Sequence, residues 1–189
     1  MSTSSEQLKI EVLPDDYKMY NISFKLIVIG DAGVGKSCLT KMASKGLFEE
    51  IYSATIGFEF LAFNVKINDK IIRLQIWDTC GQEIYRSIIS GFYRNSSVVM
   101  LVYAINDKRS FININTWLKE VKLQSNPDIK IILIGYKSDL EEERQVQLNE
   151  AKKFTEENNS KKLENENNIP IPDKVNINKD IKRKKGCCI

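Results

Sequence analysis

The apolar positions of this 189-residue chain fall into two kinds of run. Residues 24–29 (FKLIVI), 97–105 (SVVMLVYAI) and 129–135 (IKIILIG) are almost continuously apolar, the pattern of strands buried on both faces. Residues 58–67 (FEFLAFNVKI) and 71–77 (IIRLQIW) read as two further strands, and the turn NDK between them predicts an antiparallel hairpin. Helical spacing governs other stretches. CLTKMASKGLF, from Cys38, reads as helix up to Gly46. Phe111, Ile114, Trp117, Leu118 and Val121 form the stripe of an amphipathic helix, and residues 148–158 (LNEAKKFTEEN) predict one more.

Strands that alternate with helices predict an α/β fold: three layers around a mostly parallel, doubly wound sheet, with one antiparallel hairpin strand. Ligands of such sheets bind beyond the carboxyl ends of the strands, so the strand-end sequences are where chemistry is expected. The pattern fades at both ends of the chain. Residues 1–20 read as a flexible extension, 21–158 as the domain, and 159–189, rich in asparagine and lysine, as a disordered tail.

Composition narrows the function classes. Hydrophobic residues make up 42% and charged residues 28%, enough for a core over part of the chain. A net charge of +3 is too mild to point to nucleic acid. No apolar run approaches the roughly 20 residues of a membrane span. The opening MSTSSEQLKIEVLPDD reads as neither a signal peptide nor a myristoylation site. The four cysteines are therefore not expected to form disulfides. Histidine is absent, which excludes a Ser-His triad and a histidine metal site.

The strand ends carry the motifs. Gly30-Asp31-Ala32-Gly33-Val34-Gly35-Lys36-Ser37 fits G-x-x-x-x-G-K-[ST] between a strand and a helix. Glycines let backbone N–H groups wrap phosphates, Lys36 reaches the β- and γ-phosphates, and the Ser37 hydroxyl suits Mg2+. The following helix N-terminus adds positive potential. WDTCGQE, at 77–83, places Asp78 where a carboxylate can support Mg2+ from its second shell and Gly81 where a backbone N–H can meet a γ-phosphate.

With these residues in view, the chain resembles the Rab family of small GTPases, within the Ras superfamily, over about residues 20–158. The resemblance rests on FKLIVIGDAGVGKSCL, YSATIGFEF, LQIWDTCGQEIYRSI, FYRNSSVVMLVY and TWLKEVK. It implies a P-loop NTPase that binds GTP and GDP with Mg2+ and hydrolyses GTP slowly. It also implies that Asp31, Ala32, Gly33, Val34, Gly35, Lys36, Ser37 and Cys38 contact the phosphates. Thr55 brings its hydroxyl to Mg2+, Phe48 lies against the guanine, and Gln82 orients the attacking water. Switch segments near 48–60 and 80–94 respond to the γ-phosphate. No arginine is evident near the phosphate loop, so a GTPase-activating protein is expected to supply one.

IILIGYKSD, at 131–139, bears on the base. The family pattern is Asn-Lys-x-Asp. Asp139 then accepts from the guanine N1–H and N2–H₂, and the Lys137 stem covers the ring. Here Tyr136 stands where the family has asparagine, and it cannot reproduce an amide's donor and acceptor. The family's last strand, its Ser-Ala-Lys loop and its last helix are also not evident, so the fold is expected to be truncated at its C-terminal edge. Either divergence or an incomplete gene model accounts for that.

The tail ends KDIKRKKGCCI. The resemblance implies that Cys187 and Cys188 carry geranylgeranyl groups, and two lipids plus a basic patch suffice for stable anchoring. It further implies a protein on the cytoplasmic face of intracellular membranes, with a cytosolic pool. The implied partners are an exchange factor, effectors, a prenylation escort and a GDP-dissociation inhibitor, with no nucleic acid. The leading expectation is a GTP/GDP switch of vesicle trafficking. The alternative is a Rab-like interaction module with impaired nucleotide binding and no hydrolysis.

Overall fold

In a computed structural model the described residues are 10–14, 17–45, 55, 57–81 and 91–163. Six strands form one sheet: β1 (Ile10–Val12), β2 (Ile22–Ile29), β3 (Phe58–Ile67), β4 (Lys70–Thr79), β5 (Val98–Ala104) and β6 (Lys130–Tyr136). The helices are α1 (Lys36–Lys45), α2 (Lys108–Gln124) and α3 (Leu148–Leu163), and a kinked 3-10 turn spans Ser138–Glu143.

The strand order is β1-β3-β4-β2-β5-β6. β2 lies parallel to β4 and to β5, and β5 parallel to β6. β3 and β4 make the predicted antiparallel hairpin, closed by a turn in which Asn68 takes a left-handed φ of 53°. β1 pairs antiparallel with the outer edge of β3, so three residues of the stretch expected to be flexible extend the sheet by a strand. They are too short and too exposed to leave a periodic signal.

Alternation along β2 sends side chains to two cores. Ile27 and Ile29 join Val99, Leu101 and Tyr103 against Phe111, Ile114, Trp117 and Val121 of α2 and Ala151 of α3. Leu26 and Val28 join Val102, Ala104, Ile76, Val34 and Tyr136 on the other face, with Cys38 and Leu39 of α1 packed alongside. Helices on both faces give the three layers. Asp107 starts α2 as its N-cap, accepting from the Arg109 and Ser110 amides at 2.9 and 3.2 Å.

Cover on the two faces is unequal. On the α1 face Phe24, Leu61, Ile72, Leu74, Met100 and Ile134 are only partly buried. Among the described residues no strand follows β6, which forms an edge of the sheet and exposes Ile131 and Ile132. These are the features expected of a domain truncated at that edge.

Candidate functional site

The carboxyl ends of β2, β4 and β6 converge on the loop between β2 and α1. Thr79 ties two of them together, its Oγ1 donating to the Val28 carbonyl at 2.7 Å. Val34 sinks into the core and holds the loop down, while Ala32 and Gly33 stay exposed. Lys36 is buried, and its Nζ donates to the carbonyls of Gly30 and Asp31 at 2.9 and 2.7 Å. Burial pulls its pKa down to about 8, against the attraction of Asp78 and Asp31. The ammonium is thus held inside the loop by weak neutral acceptors, which an anion can replace.

Across the loop, the Ser37 and Thr55 hydroxyls lie 2.8 Å apart. Asp78 is fully buried, and neither of its carboxylate oxygens finds a hydrogen-bond partner of good geometry. Burial pushes its pKa up to about 6, offset by the Ser37 hydroxyl and the Lys36 ammonium. A buried, unsatisfied carboxylate is costly unless a cation or donor meets it. Two hydroxyls and an orphaned carboxylate are hard oxygen donors, the set suited to Mg2+ that keeps part of its shell on phosphate and water. Among the described residues no three His, Cys, Asp or Glu side chains cluster as a metal cage.

Gly81 follows β4 and sits on the same loop. A Cβ there would come within 2.3 Å of the Ala32 nitrogen and of the Asp31 carbonyl carbon, so only glycine permits this approach.

Tyr136 ends β6 directly beneath the loop. It is 4% exposed, and a Cβ on Gly35 would come within 2.3 Å of two of its ring carbons. Lys137 then turns left-handed at φ 65°, and Asp139 stands exposed on the 3-10 turn. Phe48, Gln82, Cys187 and Cys188 lie outside the described residues.

A family model, that of the Ras family, matches residues 25–168. The chain belongs to the Ras family. Within it this is a Rab-type small GTPase. It is 44% identical over 137 residues to the Ras-related protein RABA1c of Arabidopsis thaliana, covering 72% of this chain and 63% of that one. It is 43% identical over 138 residues to the Ras-related protein RABD2a of the same plant, covering 73% and 68%. To the Ras-related protein Rab-13 of Rattus norvegicus it is 41% identical over 140 residues, covering 74% and 69%. The chain thus spans about two thirds of the length of these relatives, and slightly less for RABA1c. Ras-family GTPases use Mg2+ with GTP or GDP and work through regulators and effectors.

One feature of the Rab-type domain escaped the sequence reading. Phe58, Phe60, Trp77 and Phe92 form an aromatic cluster with ring centroids 4.7–5.4 Å apart, and Phe58 and Phe60 are nearly half exposed. Lys25 caps it, its Nζ 5.5 Å from the Trp77 ring. Even spacing along β3 puts Phe58 and Phe60 on one face, but which face stays in solvent depends on register with β4.

Proposed function

We propose that this chain is a GTP/GDP-binding switch that hydrolyses GTP slowly and recruits effectors in vesicle trafficking. The observation that carries this reading is the Ser37–Thr55 hydroxyl pair, which brings Thr55 to the residue next to the buried Lys36 and beside the orphaned Asp78 carboxylate. Each polar group there is unsatisfied or weakly satisfied in a way that a phosphate and a divalent cation would relieve.

The residues divide the work. Lys36 exchanges two carbonyl acceptors for phosphate oxygens, and the amides of the loop wrap the same group. Ser37 and Thr55 hold Mg2+, with Asp78 supporting it from behind. Mg2+ held there would supply positive charge against the phosphates. Gly81 approaches the loop closely enough for its backbone N–H to sense a γ-phosphate. Gln82 orients the attacking water. Thr55 and Gly81 belong to different switch segments, so loss of the γ-phosphate releases both. Hydrolysis by positioning rather than by a strong base suits a chain without histidine. Asp139 selects guanine, with Lys137 covering the ring and Phe48 on the other side.

The aromatic cluster of Phe58, Phe60, Trp77 and Phe92, open to solvent through Phe58 and Phe60, is the face we assign to effectors. Contiguous exposed apolar surface of this kind marks protein docking. It joins β3, which follows Thr55, to β4, which leads to Gly81, so nucleotide state reaches it through the backbone. Among the described residues no helix is long and apolar enough to cross a membrane. We assign membrane attachment, on the cytoplasmic face of intracellular membranes, to lipids on Cys187 and Cys188. A prenylation escort, a GDP-dissociation inhibitor, an exchange factor and a GTPase-activating protein complete the cycle.

The test is the nucleotide that the purified protein retains, extracted and identified by chromatography. Guanine nucleotide supports the reading; adenine nucleotide, or none under Mg2+-replete conditions, opposes it.

A further inference from the structure

The Asp31 side chain bonds outside its own loop. Its Oδ2 accepts from Asn113 Nδ2 at 2.6 Å and its Oδ1 from Trp117 Nε1 at 2.9 Å. Asn113 and Trp117 are one helical turn apart on α2, so they meet the carboxylate side by side. Trp117 is fully buried in the core formed with β2 and β5. The same aspartate accepts from Lys36 Nζ through its backbone carbonyl. Its carbonyl also lies against Gly81. One residue therefore joins the rigid helical layer to the lysine and to the glycine of the second switch.

We propose that the Asp31 carboxylate is a positioning residue of the phosphate loop. It fastens the loop's first turn to Trp117 and Asn113 of α2, so that Lys36 and the amides of residues 32–35 are preset for a nucleoside di- or triphosphate. A loop with glycines at 30, 33 and 35 is otherwise costly to order. Hydrogen bonds to an ionised carboxylate are about twice as strong as neutral ones. Presetting a loop raises affinity by removing that ordering cost from the binding step. This inference rests on the guanine-nucleotide reading of the site.

The experiment is GDP titration of the full chain and its variants, with amide hydrogen exchange on the nucleotide-free protein. Asp31→Ala is expected to weaken GDP binding about tenfold, the loss of one charge-assisted bond pair. Trp117→Phe removes the indole N–H and weakens it several-fold, and the double variant is no weaker than Asp31→Ala alone, as coupled partners require. Asp31→Asn keeps a carbonyl acceptor for Trp117 but loses the charge and the acceptor for Asn113, so it recovers only part of the loss. Asn113→Ala, at a half-buried site, is a second variant that spares the core. Exchange at residues 32–35 speeds up in Asp31→Ala. Additive losses in the double variant, or parent-like GDP affinity in Asp31→Ala, would overturn the inference. If the parent binds no guanine nucleotide, the proposed function fails, and unchanged exchange at residues 32–35 then overturns the anchor on its own.

Discussion

The Tyr136 ring occupies the space that a side chain on Gly35 would need: a Cβ there would sit 2.2 Å from ring Cδ1 and 2.3 Å from Cε1. The loop and the end of β6 thus meet through aromatic packing at the position where the expected Asn-Lys-x-Asp pattern has an amide. Gly35 also holds a φ of +102°. Gly35→Ala should therefore destabilise the fold by about 2 kcal/mol or more, from backbone strain and overpacking together. Adding Tyr136→Ala relieves the collision but not the strain. Urea unfolding of both, with Tyr136→Ala alone as the reference, checks this, and a double variant as stable as Tyr136→Ala alone would show that strain is absent.

Tyr136→Asn should move affinity and stability in opposite directions. An asparagine restores the polar link between loop and base, yet it replaces a core ring that is 4% exposed. Stability should fall by about 2–4 kcal/mol, in the range of large-to-small core changes. GDP affinity should rise only in part. Absent the asparagine and the Ser-Ala-Lys loop, the parent should bind about one to three orders of magnitude more weakly than an intact Rab, at roughly 0.5–1.5 kcal/mol per lost hydrogen bond. Isothermal titration beside such a Rab reads the affinity; equal affinity would refute the account of Tyr136.

How far all this could be read in the chain differs by element. Continuous apolar runs identified β2, β5 and β6, and the stripe from Phe111 to Val121 identified α2. The ends were less legible. α2 begins at Lys108, three residues before the stripe, because the Asp107 cap rather than burial sets its start. α3 continues to Leu163, past the expected tail boundary, along a stretch whose apolar positions are too sparse to mark a face. The phosphate loop was legible because its chemistry is local in sequence. The Asp31–Trp117 bond spans 86 residues, and no local pattern encodes it. Tyr136 stood out as a departure, but its seat against Gly35 depends on β6 lying two strands from β2.

Acid should loosen the metal site. Burial raises the Asp78 pKa from 3.8 to about 6. A raised folded pKa means that the native state binds the extra proton, so this group favours folding below about pH 4 and that contribution is lost as pH rises through about 6. Mg2+ needs the ionised form, so its affinity in the GDP complex should fall by up to about tenfold per pH unit below pH 6. Asp78→Asn should bind Mg2+ weakly at every pH and lack this dependence beyond what the nucleotide phosphates impose. A parent profile that overlays the Asn variant would exclude Asp78 from the site.

Lys36→Ala should abolish tight GDP and GTP binding. Lys36 is the cation that lies within the loop, and the carbonyls of Gly30 and Asp31 cannot replace it on an anion. Filter binding with labelled GDP measures the loss; retention at parent strength would mean that the phosphates lie elsewhere.

Cys187→Ser with Cys188→Ser should release the protein from membranes. The basic residues before them contribute about 1 kcal/mol each near an anionic surface, and salt screens that attraction. Sedimentation at high salt separates the two contributions. A double variant that still pellets with membranes would rule out anchoring through these cysteines.

A guanine nucleotide on this loop should rest its base on Asp139. Competitive titration of GDP, GTP and ATP against the parent and Asp139→Ala tests it most directly. The parent should bind GDP and GTP and discriminate against ATP, and Asp139→Ala should lose most of that discrimination while keeping the phosphate contribution. A parent that binds ATP as well as GTP, or an Asp139→Ala variant as selective as the parent, would contradict the account.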